Sequence, residues 1–156
     1  DIITVLDLVS NNDPSFQKVV LSALPNTDYL LLNEIEAELL FKRPIINSKK
    51  KLNKKLITNL SKKLFLKGIK KALIVHHSKE SLYLSRDEVI HTNSTIMNKK
   101  KIINSVGAGD AFCAAFIYGI HESWDMKTTL KKAHAAGSAM MKVDSSSGNL
   151  PNIQKL

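Results

Sequence analysis

Short apolar runs along this chain alternate with segments in which apolar residues recur every three or four positions. The short runs have the length and composition of buried strands, and the periodic segments have the spacing of amphipathic helices. Turn-forming residues at 25–28 and a glycine at 68 separate neighbouring segments. The pattern predicts strands at 2–8, 29–32, 72–75, 81–84 and 89–92, and helices at 14–24, 35–41, between 48 and 68, from 107 onward and at 128–141.

Strands that alternate with helices form a parallel sheet covered by helices on both faces. The ligands of such sheets bind beyond the carboxyl ends of the strands. Asn33 directly follows one predicted strand, and His76 and His77 directly follow another. We therefore predict an α/β fold whose ligand site lies at the sheet edge that carries these residues.

Length and cysteine usage narrow the class of protein. With 156 residues, the chain is long enough for one domain with a core. It opens directly on the first strand, which predicts a piece of a longer protein. No apolar run approaches the roughly 20 residues of a membrane-spanning helix, so we expect no membrane contact. A single cysteine, Cys113, excludes an internal disulfide and a cysteine zinc site, and we expect it in the core.

The net charge of +9 raises the possibility of a nucleic-acid partner. Much of the positive charge lies at 48–71, where leucines at 52, 56, 60 and 64 recur every four residues and lysines fill the gaps. That pattern is typical of an amphipathic helix with a solvated lysine face. Arginine is rare and no aromatic residue interleaves with the lysines, so base readout has little support. We expect no nucleic-acid partner.

The string NSVGAGDAF, residues 104–112, places Gly107, Ala108 and Gly109 at the start of a helix with Asp110 directly behind. A glycine-rich helix start presents backbone N–H groups without intrahelical partners, together with the positive end of the helix dipole, which is a site for a phosphate. An acid beside a phosphate is costly unless it takes a proton from an incoming hydroxyl. The alternative is an ordinary glycine turn in which Asp110 favours the helix N-terminus.

A second motif, Asn33-Glu34-Ile35-Glu36, begins a helix directly after a strand. The carboxylate of Glu36 is suited to hold Mg²⁺ through water, and the amide of Asn33 is suited to orient a phosphate or a metal-bound water. The alternative is a solvated helix start, where acidic residues are favoured.

These two motifs carry a family resemblance. LLNEIEAELL, the later NSVGAGDAFCAAFIYGIHESWD and the small-residue helix KKAHAAGSAM, in this order, resemble the ribokinase-like, or PfkB, family of carbohydrate kinases. The resemblance covers essentially the whole chain and matches the second half of such kinases. It implies a ribokinase-like, three-layer αβα fold with a mostly parallel sheet. It also implies that residues 1–156 form the C-terminal, ATP-binding and catalytic-base part of one domain, without the sugar-binding part and lid.

The resemblance implies a role for each matching residue. Asp110 corresponds to the catalytic base that deprotonates the acceptor hydroxyl, and the amides of Gly107, Ala108 and Gly109 correspond to the anion hole around the transferred γ-phosphoryl group. The pair Asn33 and Glu36 corresponds to the N-x-x-E motif that positions Mg²⁺, its waters and the triphosphate. His134 matches a position close to the nucleotide.

Two departures from the family pattern affect the predicted site. Asn104-Ser105 stands where many members have Asp-Thr, which helps to bind an activating monovalent cation; Asn104 lacks the charge, so the sequence leaves K⁺ dependence open. Ser78 and Ser81 replace two glycines of a loop near the ATP phosphates. Ser78 is kept as a candidate nucleotide contact.

Two hypotheses follow from the sequence. The first is the catalytic half of a cytoplasmic, ATP- and Mg²⁺-dependent kinase that phosphorylates an alcohol group of a sugar or sugar-like acceptor, with a possible homodimer in the full-length protein. The second is a noncatalytic nucleotide-binding or interaction module derived from the same fold. Intact Asn33, Glu36 and GAGD favour the first, whereas Asn104 and the lost glycines favour the second.

Overall fold

The computed structural model describes residues 2–94, 102–144 and 151–156. The chain divides into two compact units, Asp1–His91 and Thr92–Leu156. A loop predicted at 145–149 lies outside the described residues. The described elements are β1 (Val5–Asp7), α1 (Phe16–Ala23), a 3₁₀ turn (Leu24–Asn26), β2 (Tyr29–Asn33), α2 (Glu34–Phe41), α3 (Lys54–Leu66), β3 (Ala72–His77), β4 (Glu80–Leu84), β5 (Val89–Asn93), α4 (Ala108–His121), α5 (Met126–Met140) and a second 3₁₀ turn (Ile153–Lys155).

The strands form one five-stranded sheet in the order β1-β2-β3-β4-β5. β2 runs parallel to both β1 and β3, with Tyr29 beside Val5 on one side and Ala72 on the other. β4 runs antiparallel to β3. The sheet is therefore mixed, where the alternation of strands and helices predicted a parallel one. Helical crossovers join the parallel strands, but only two residues join β3 to β4, and so short a connection allows only an antiparallel return.

The core of unit 1 lies between the sheet and its three helices. It includes Leu30, Leu32, Leu73, Val75, Leu24, Leu40, Ile57 and Leu64. β1 is the exception among the first three strands, because its three residues are only half-buried and Ile2 is exposed. The prediction of a buried strand over 2–8 is wrong in both length and burial, because β1 is the edge strand.

The lysine-rich segment is a helix, but its buried face differs from the leucine repeat. α3 buries Ile57, Ser61, Leu64 and Phe65. Successive leucines four positions apart drift around a helix of 3.6 residues per turn, so Leu56 and Leu60 lie at the margin of the face. Leu52 precedes the helix. The lysines of this segment are exposed, as predicted. Among the described residues, no helix is long and apolar enough to cross a membrane.

Local backbone geometry explains where two of the predicted helices begin or end. α1 begins at Phe16 rather than Pro14, because Asp13 accepts a hydrogen bond of 2.7 Å from the Ser15 N–H and forms a turn before the helix. α2 ends at Phe41, as predicted; its C-cap Lys42 has a left-handed φ of 51°, so the helix stops before Pro44 is reached.

Unit 2 is built on the packing of α4 against α5. The buried residues of α4 are mostly small or aromatic: Ala111, Phe112, Cys113, Ala115, Phe116 and Gly119. The apolar periodicity of this helix predicts Ile117 on the same face as Phe112 and Phe116. Ile117 is instead 45% exposed, because small residues that allow close packing occupy the interface. Cys113 is buried, as expected.

Candidate functional site

The residues predicted to bind the nucleotide lie in both units, and each unit is described by itself. In unit 1, Asn33 ends β2 and is also the N-cap of α2. Its side-chain oxygen accepts a hydrogen bond of 2.9 Å from the Glu36 N–H, and the Glu36 carboxylate accepts one of 2.9 Å from the Asn33 N–H. This reciprocal pair is a capping box, which pairs two N–H groups that the start of a helix otherwise leaves unpaired.

The carboxylate of Glu36 is buried, with 3% of the residue exposed. Its Oε1 also accepts hydrogen bonds from Asn33 Nδ2 at 2.7 Å and from Ser10 Oγ at 3.2 Å. Burial raises the pKa of Glu36, and the charge of Asp7 adds to this effect, although the hydrogen bonds from Asn33 and Ser10 oppose it. Glu36 is therefore a carboxylate with a fixed orientation at the carboxyl edge of the sheet.

The same edge carries polar residues from the neighbouring strands. Asp7 ends β1, and Asn33 of β2 lies beside His76 of β3. His76 and His77 are the last residues of β3 rather than residues that follow it.

Ser78 is exposed in the turn between β3 and β4, whereas Ser81 is fully buried within β4. The two serines at the family's glycine positions thus have different surroundings.

In unit 2, Gly107 is the N-cap of α4 and has a left-handed φ of 79°. Only glycine adopts this conformation without steric cost, which explains why the chain enters the helix through a glycine. A hydrogen bond of 3.3 Å from the Ala108 N–H to the Ser105 carbonyl closes the turn, so one of the three predicted anion-hole amides is engaged. The first intrahelical bond runs from the Ala111 N–H to the Gly107 carbonyl. The amides of Gly109 and Asp110 precede that bond and have no intrahelical acceptor.

The open space at the start of α4 lies beside Gly109. Apart from the chain neighbours of Gly109 and the nearby backbone of α4, no heavy atom of the described residues lies within 4 Å of the position that a Cβ of Gly109 would occupy. Both Gly109 and Asp110 are exposed. An anion can therefore approach the backbone here, at the positive end of a 14-residue helix. Asp110 directly follows Gly109 in this exposed first turn, and its role as the base stays a prediction.

The segment before the motif is tied to the end of α5. The N–H groups of Ile103 and Asn104 donate to the Met141 carbonyl, at 2.8 and 3.4 Å. The side-chain oxygen of Asn104 accepts a hydrogen bond of 3.0 Å from the Val106 N–H. Asn104 thus shapes its own turn, and its predicted contact with a monovalent cation stays a prediction.

His134 lies on α5 and is 7% exposed. Its ring meets the ring of Phe112 edge-on, with the centroids 5.2 Å apart and an interplanar angle of 76°. Phe112 lies two residues after Asp110, so His134 packs against the helix that carries the predicted base. A nucleotide contact of His134 stays a prediction.

One charged cluster in unit 1 was not predicted. Glu80, 1% exposed, accepts hydrogen bonds of 2.6 Å from His91 Nε2 and 2.7 Å from the Leu52 N–H. Burial alone would raise the pKa of Glu80, but these hydrogen bonds outweigh it and the pKa is lowered. From the sequence, Glu80 is expected in a loop and His91 has no expected partner. The predicted strands at 81–84 and 89–92 were the signal for this contact, because pairing them as neighbours brings Glu80 close to His91.

Comparisons with known proteins give this geometry a context. The family model described as pfkB family carbohydrate kinase matches residues 2–153. The deoxyribokinase of Salmonella typhi is 23% identical over 150 residues, which is 96% of this chain and 46% of that protein. The chain therefore spans about half the length of the curated relatives it matches.

Solved structures share the fold. Ribokinase of Arabidopsis thaliana in complex with ribose and ATP has a TM-score of 0.77 and 24% identity, over 98% of this chain and 46% of that one. A proposed ribokinase II from E. coli in complex with ATP and Mg²⁺ has a TM-score of 0.70 and 22% identity, over 91% of this chain and 42% of that one. The predicted ribokinase-like α/β fold is confirmed.

Proposed function

The chain belongs to the pfkB family of carbohydrate kinases, and on that basis we propose that its protein transfers the γ-phosphoryl group of ATP to an alcohol group of a sugar or sugar-like acceptor. The observation that carries the proposal is the start of α4, where open space beside Gly109 adjoins the exposed Asp110. An anion hole next to a base is what phosphoryl transfer to a hydroxyl requires.

In this proposal the start of α4 binds the charge that develops on the transferred group. The amides of Gly109 and Asp110 donate hydrogen bonds to its oxygens, and the helix dipole adds a fixed positive potential. Gly107 contributes the entry conformation, and the Ala108 amide, which already donates to Ser105, holds the turn in shape.

Asp110 acts as the base. Its carboxylate oxygen takes the proton of the acceptor hydroxyl, whose oxygen attacks the γ-phosphorus while the bond to the β-phosphate oxygen breaks and ADP leaves. Solvent exposure of Asp110 in this chain leaves room for an acceptor to approach.

Mg²⁺ is the expected partner of ATP, and it neutralises charge on the phosphates when bound. No group of three His, Cys, Asp or Glu side chains that could hold a metal ion occurs in the part of the chain that the structure describes. Glu36 and Asn33 fit a water-mediated role in holding Mg²⁺, because the capping box fixes the orientation of the Glu36 carboxylate.

Ser78 and His134 are the proposed further nucleotide contacts, and K⁺ binding at Asn104 is left to experiment.

The half-length match defines the rest of the proposal. This chain would form the C-terminal part of a single domain. The sugar pocket and the lid would belong to the part of the protein outside this chain. That outside part selects the acceptor and provides any homodimer interface. A cytoplasmic location is part of the proposal.

A noncatalytic nucleotide-binding module is the second candidate function. The capping box favours it, because a structural role at the start of α2 is sufficient to explain Asn33 and Glu36. Asp110 distinguishes the two candidates, since a module without chemistry does not need a base.

The test compares Asp110→Asn with Asp125→Asn in the full-length protein, using ATP consumption over a panel of sugars. Asp125 is the N-cap of α5, so the second variant is the same chemical change at another helix start. We expect Asp110→Asn to lower kcat by about 10²- to 10⁴-fold with little change in the MgATP affinity. Unchanged turnover in Asp110→Asn would reject the base, whereas no turnover by the wild type with any sugar of the panel would favour the noncatalytic module.

A further inference from the structure

α5 passes the first turn of α4 at a glycine. A methyl group at position 137 would lie 3.0 Å from the Ala108 carbonyl oxygen and 3.9 Å from the Cβ of Phe112. A carbon–oxygen distance of 3.0 Å is tighter than ordinary van der Waals contact, so any side chain at 137 moves one of the two helices. Gly137 therefore sets how closely α5 approaches the GAGD turn.

The atom that Gly137 faces belongs to the predicted anion hole. The Ala108 carbonyl and the Gly109 N–H are parts of one planar trans peptide, in which they point in opposite directions. The carbonyl points toward Gly137, and the N–H points toward the open start of α4. A displacement of the carbonyl therefore moves the Gly109 N–H by a similar amount.

Two further contacts from the same face of α5 flank this one. His134, three residues before Gly137, meets the Phe112 ring edge-on at 5.2 Å, and the Met141 carbonyl, four residues after it, accepts the Ile103 N–H at 2.8 Å. Residues spaced by three and four share one helix face. That face thus touches the motif before, within and after its glycines.

We propose that Gly137 is a positioning residue for the anion hole: its missing side chain lets α5 hold the Ala108–Gly109 peptide where the Gly109 N–H meets the transferred phosphoryl group. The inference rests on the proposed kinase function. Anion-hole donors act only within a narrow range of distances to the developing charge, so a shift of a few tenths of an ångström lowers kcat more than it raises the KM for MgATP.

Gly119 provides a matched control in the same helix pair. A methyl group at 119 would lie 2.6 Å from Cγ2 and 2.7 Å from Oγ1 of Thr129. It disturbs the packing of α4 on α5 far from the GAGD turn, and it meets a side chain. Thr129→Ala removes the two closest contacts and leaves the Thr129 Cβ at 3.0 Å, so it relieves the overlap in part. The contact at 137 is with a backbone oxygen, which no side-chain truncation can relieve.

The experiment compares Gly137→Ala, Gly119→Ala and Gly119→Ala/Thr129→Ala in the full-length protein by kcat, KM for MgATP and Tm. We expect Gly137→Ala to lower kcat at least about tenfold with the KM changed less than about threefold. We expect Gly119→Ala to lower Tm with kcat near that of the wild type, and the double variant to recover part of the loss in Tm. Equal kcat in Gly137→Ala and the wild type would overturn the proposal.

A second readout does not depend on turnover. In protein labelled with ¹⁵N-glycine, the Gly109 amide resonance is followed during titration with inorganic phosphate. We expect Gly137→Ala to shift this resonance in the free protein and to weaken its response to phosphate, whereas Gly119→Ala leaves both unchanged. An unshifted Gly109 resonance in Gly137→Ala would overturn the positioning role.

The outcomes separate this inference from the proposed function. If the wild type phosphorylates no sugar, the kinase proposal fails, but the Gly109 resonance still decides whether Gly137 controls that amide. Alanine favours a helix over glycine by about 1 kcal/mol, so Gly137→Ala is expected to fold. Failure to fold would overturn the proposal, because it would show that Gly137 is needed for helix pairing itself.

Discussion

The N-termini of α2 and α4 solve the same problem in opposite ways. Each helix begins with N–H groups that have no carbonyl within the helix to which they can donate a hydrogen bond. At α2, Asn33 and Glu36 satisfy two of them within the chain through the capping box. At α4, the N-cap is Gly107, which has no side chain, and the space beside Gly109 is open.

This difference separates a structural helix start from one that can bind a ligand. A side-chain cap competes with any external anion for the same N–H groups, so a helix start built for binding must lack one. The start of α2 holds the Glu36 carboxylate in a fixed orientation, whereas the start of α4 leaves backbone N–H groups available to an external acceptor. The following predictions test that contrast.

The largest effect is expected from Gly109→Asp in the full-length protein, because it places a fixed negative side chain in the open space of α4. We expect turnover to fall by at least about 10²-fold and MgATP binding, measured by calorimetry, to be lost or strongly weakened. Tm should hold or rise, since an acid in the first turn favours the helix dipole. Ala114→Asp, at an exposed position further along α4, is the control. Full MgATP affinity in Gly109→Asp would show that the nucleotide does not bind at this turn.

Glu80→Gln tests another buried carboxylate of unit 1 with internal partners. We expect the free energy of unfolding to fall by about 1–3 kcal/mol, because His91 and the Leu52 N–H lose a charged acceptor. Since the folded-state pKa of Glu80 is below its ordinary value near 4.5, its stabilisation is present above that value and lost as the pH falls through the folded-state pKa. Urea unfolding at several pH values should therefore show a difference in the free energy of unfolding between the wild type and Glu80→Gln that shrinks in acid. The exposed Glu88→Gln is the control. A difference that grows in acid would contradict a lowered pKa of Glu80.

Asn33→Ala removes the cap of α2 and should lower the free energy of unfolding by about 1 kcal/mol. Asn53→Ala is the matched control, because Asn53 caps α3 through a hydrogen bond of 3.2 Å from the Leu56 N–H. We expect similar losses of stability by urea unfolding, but a loss of turnover only in Asn33→Ala. Equal turnover in the two variants would reduce Asn33 to a structural cap.

The smallest effect is expected from the titration of Glu36. Because burial holds the folded-state pKa of Glu36 above its ordinary value near 4.5, its stabilising contribution is full below that value and is lost as the pH rises through the folded-state pKa. The stability of the wild type relative to Glu36→Gln, measured by urea unfolding, should therefore decrease as the pH rises from 4 to 7. Glu34→Gln, in the same turn, is the control for the helix dipole. A relative stability that increases over this range would contradict the assignment.

Much of this contrast could be predicted from the sequence. The glycine at 107, the acid at 110 and the asparagine that ends a strand are local signals, and the structure places each of them at a helix start. The mixed sheet and the exposure of Ile2 and Ile117 depend on which strand lies at the edge and which helix face meets small residues. Those are tertiary facts that a hydrophobic pattern does not contain.

The carboxylate partners show the same limit. Glu36 is three residues from Asn33, so a capping box could have been recognised from spacing alone. Glu80 meets Leu52, 28 positions away, and His91, 11 positions away, and no local pattern connects them. The engagement of the Ala108 amide by Ser105 also depends on the shape of one turn.

The parallel pairing of β2 with β3 has a kinetic consequence. It joins Tyr29 to Ala72 across two intervening helices, whereas α4 and α5 follow one another after a turn of four residues. Contacts between residues distant in sequence form slowly, because a long loop must close before they stabilise the chain. We therefore expect the helix pair around GAGD to assemble early during refolding, and the sheet edge that carries Asn33 to form in the slower step.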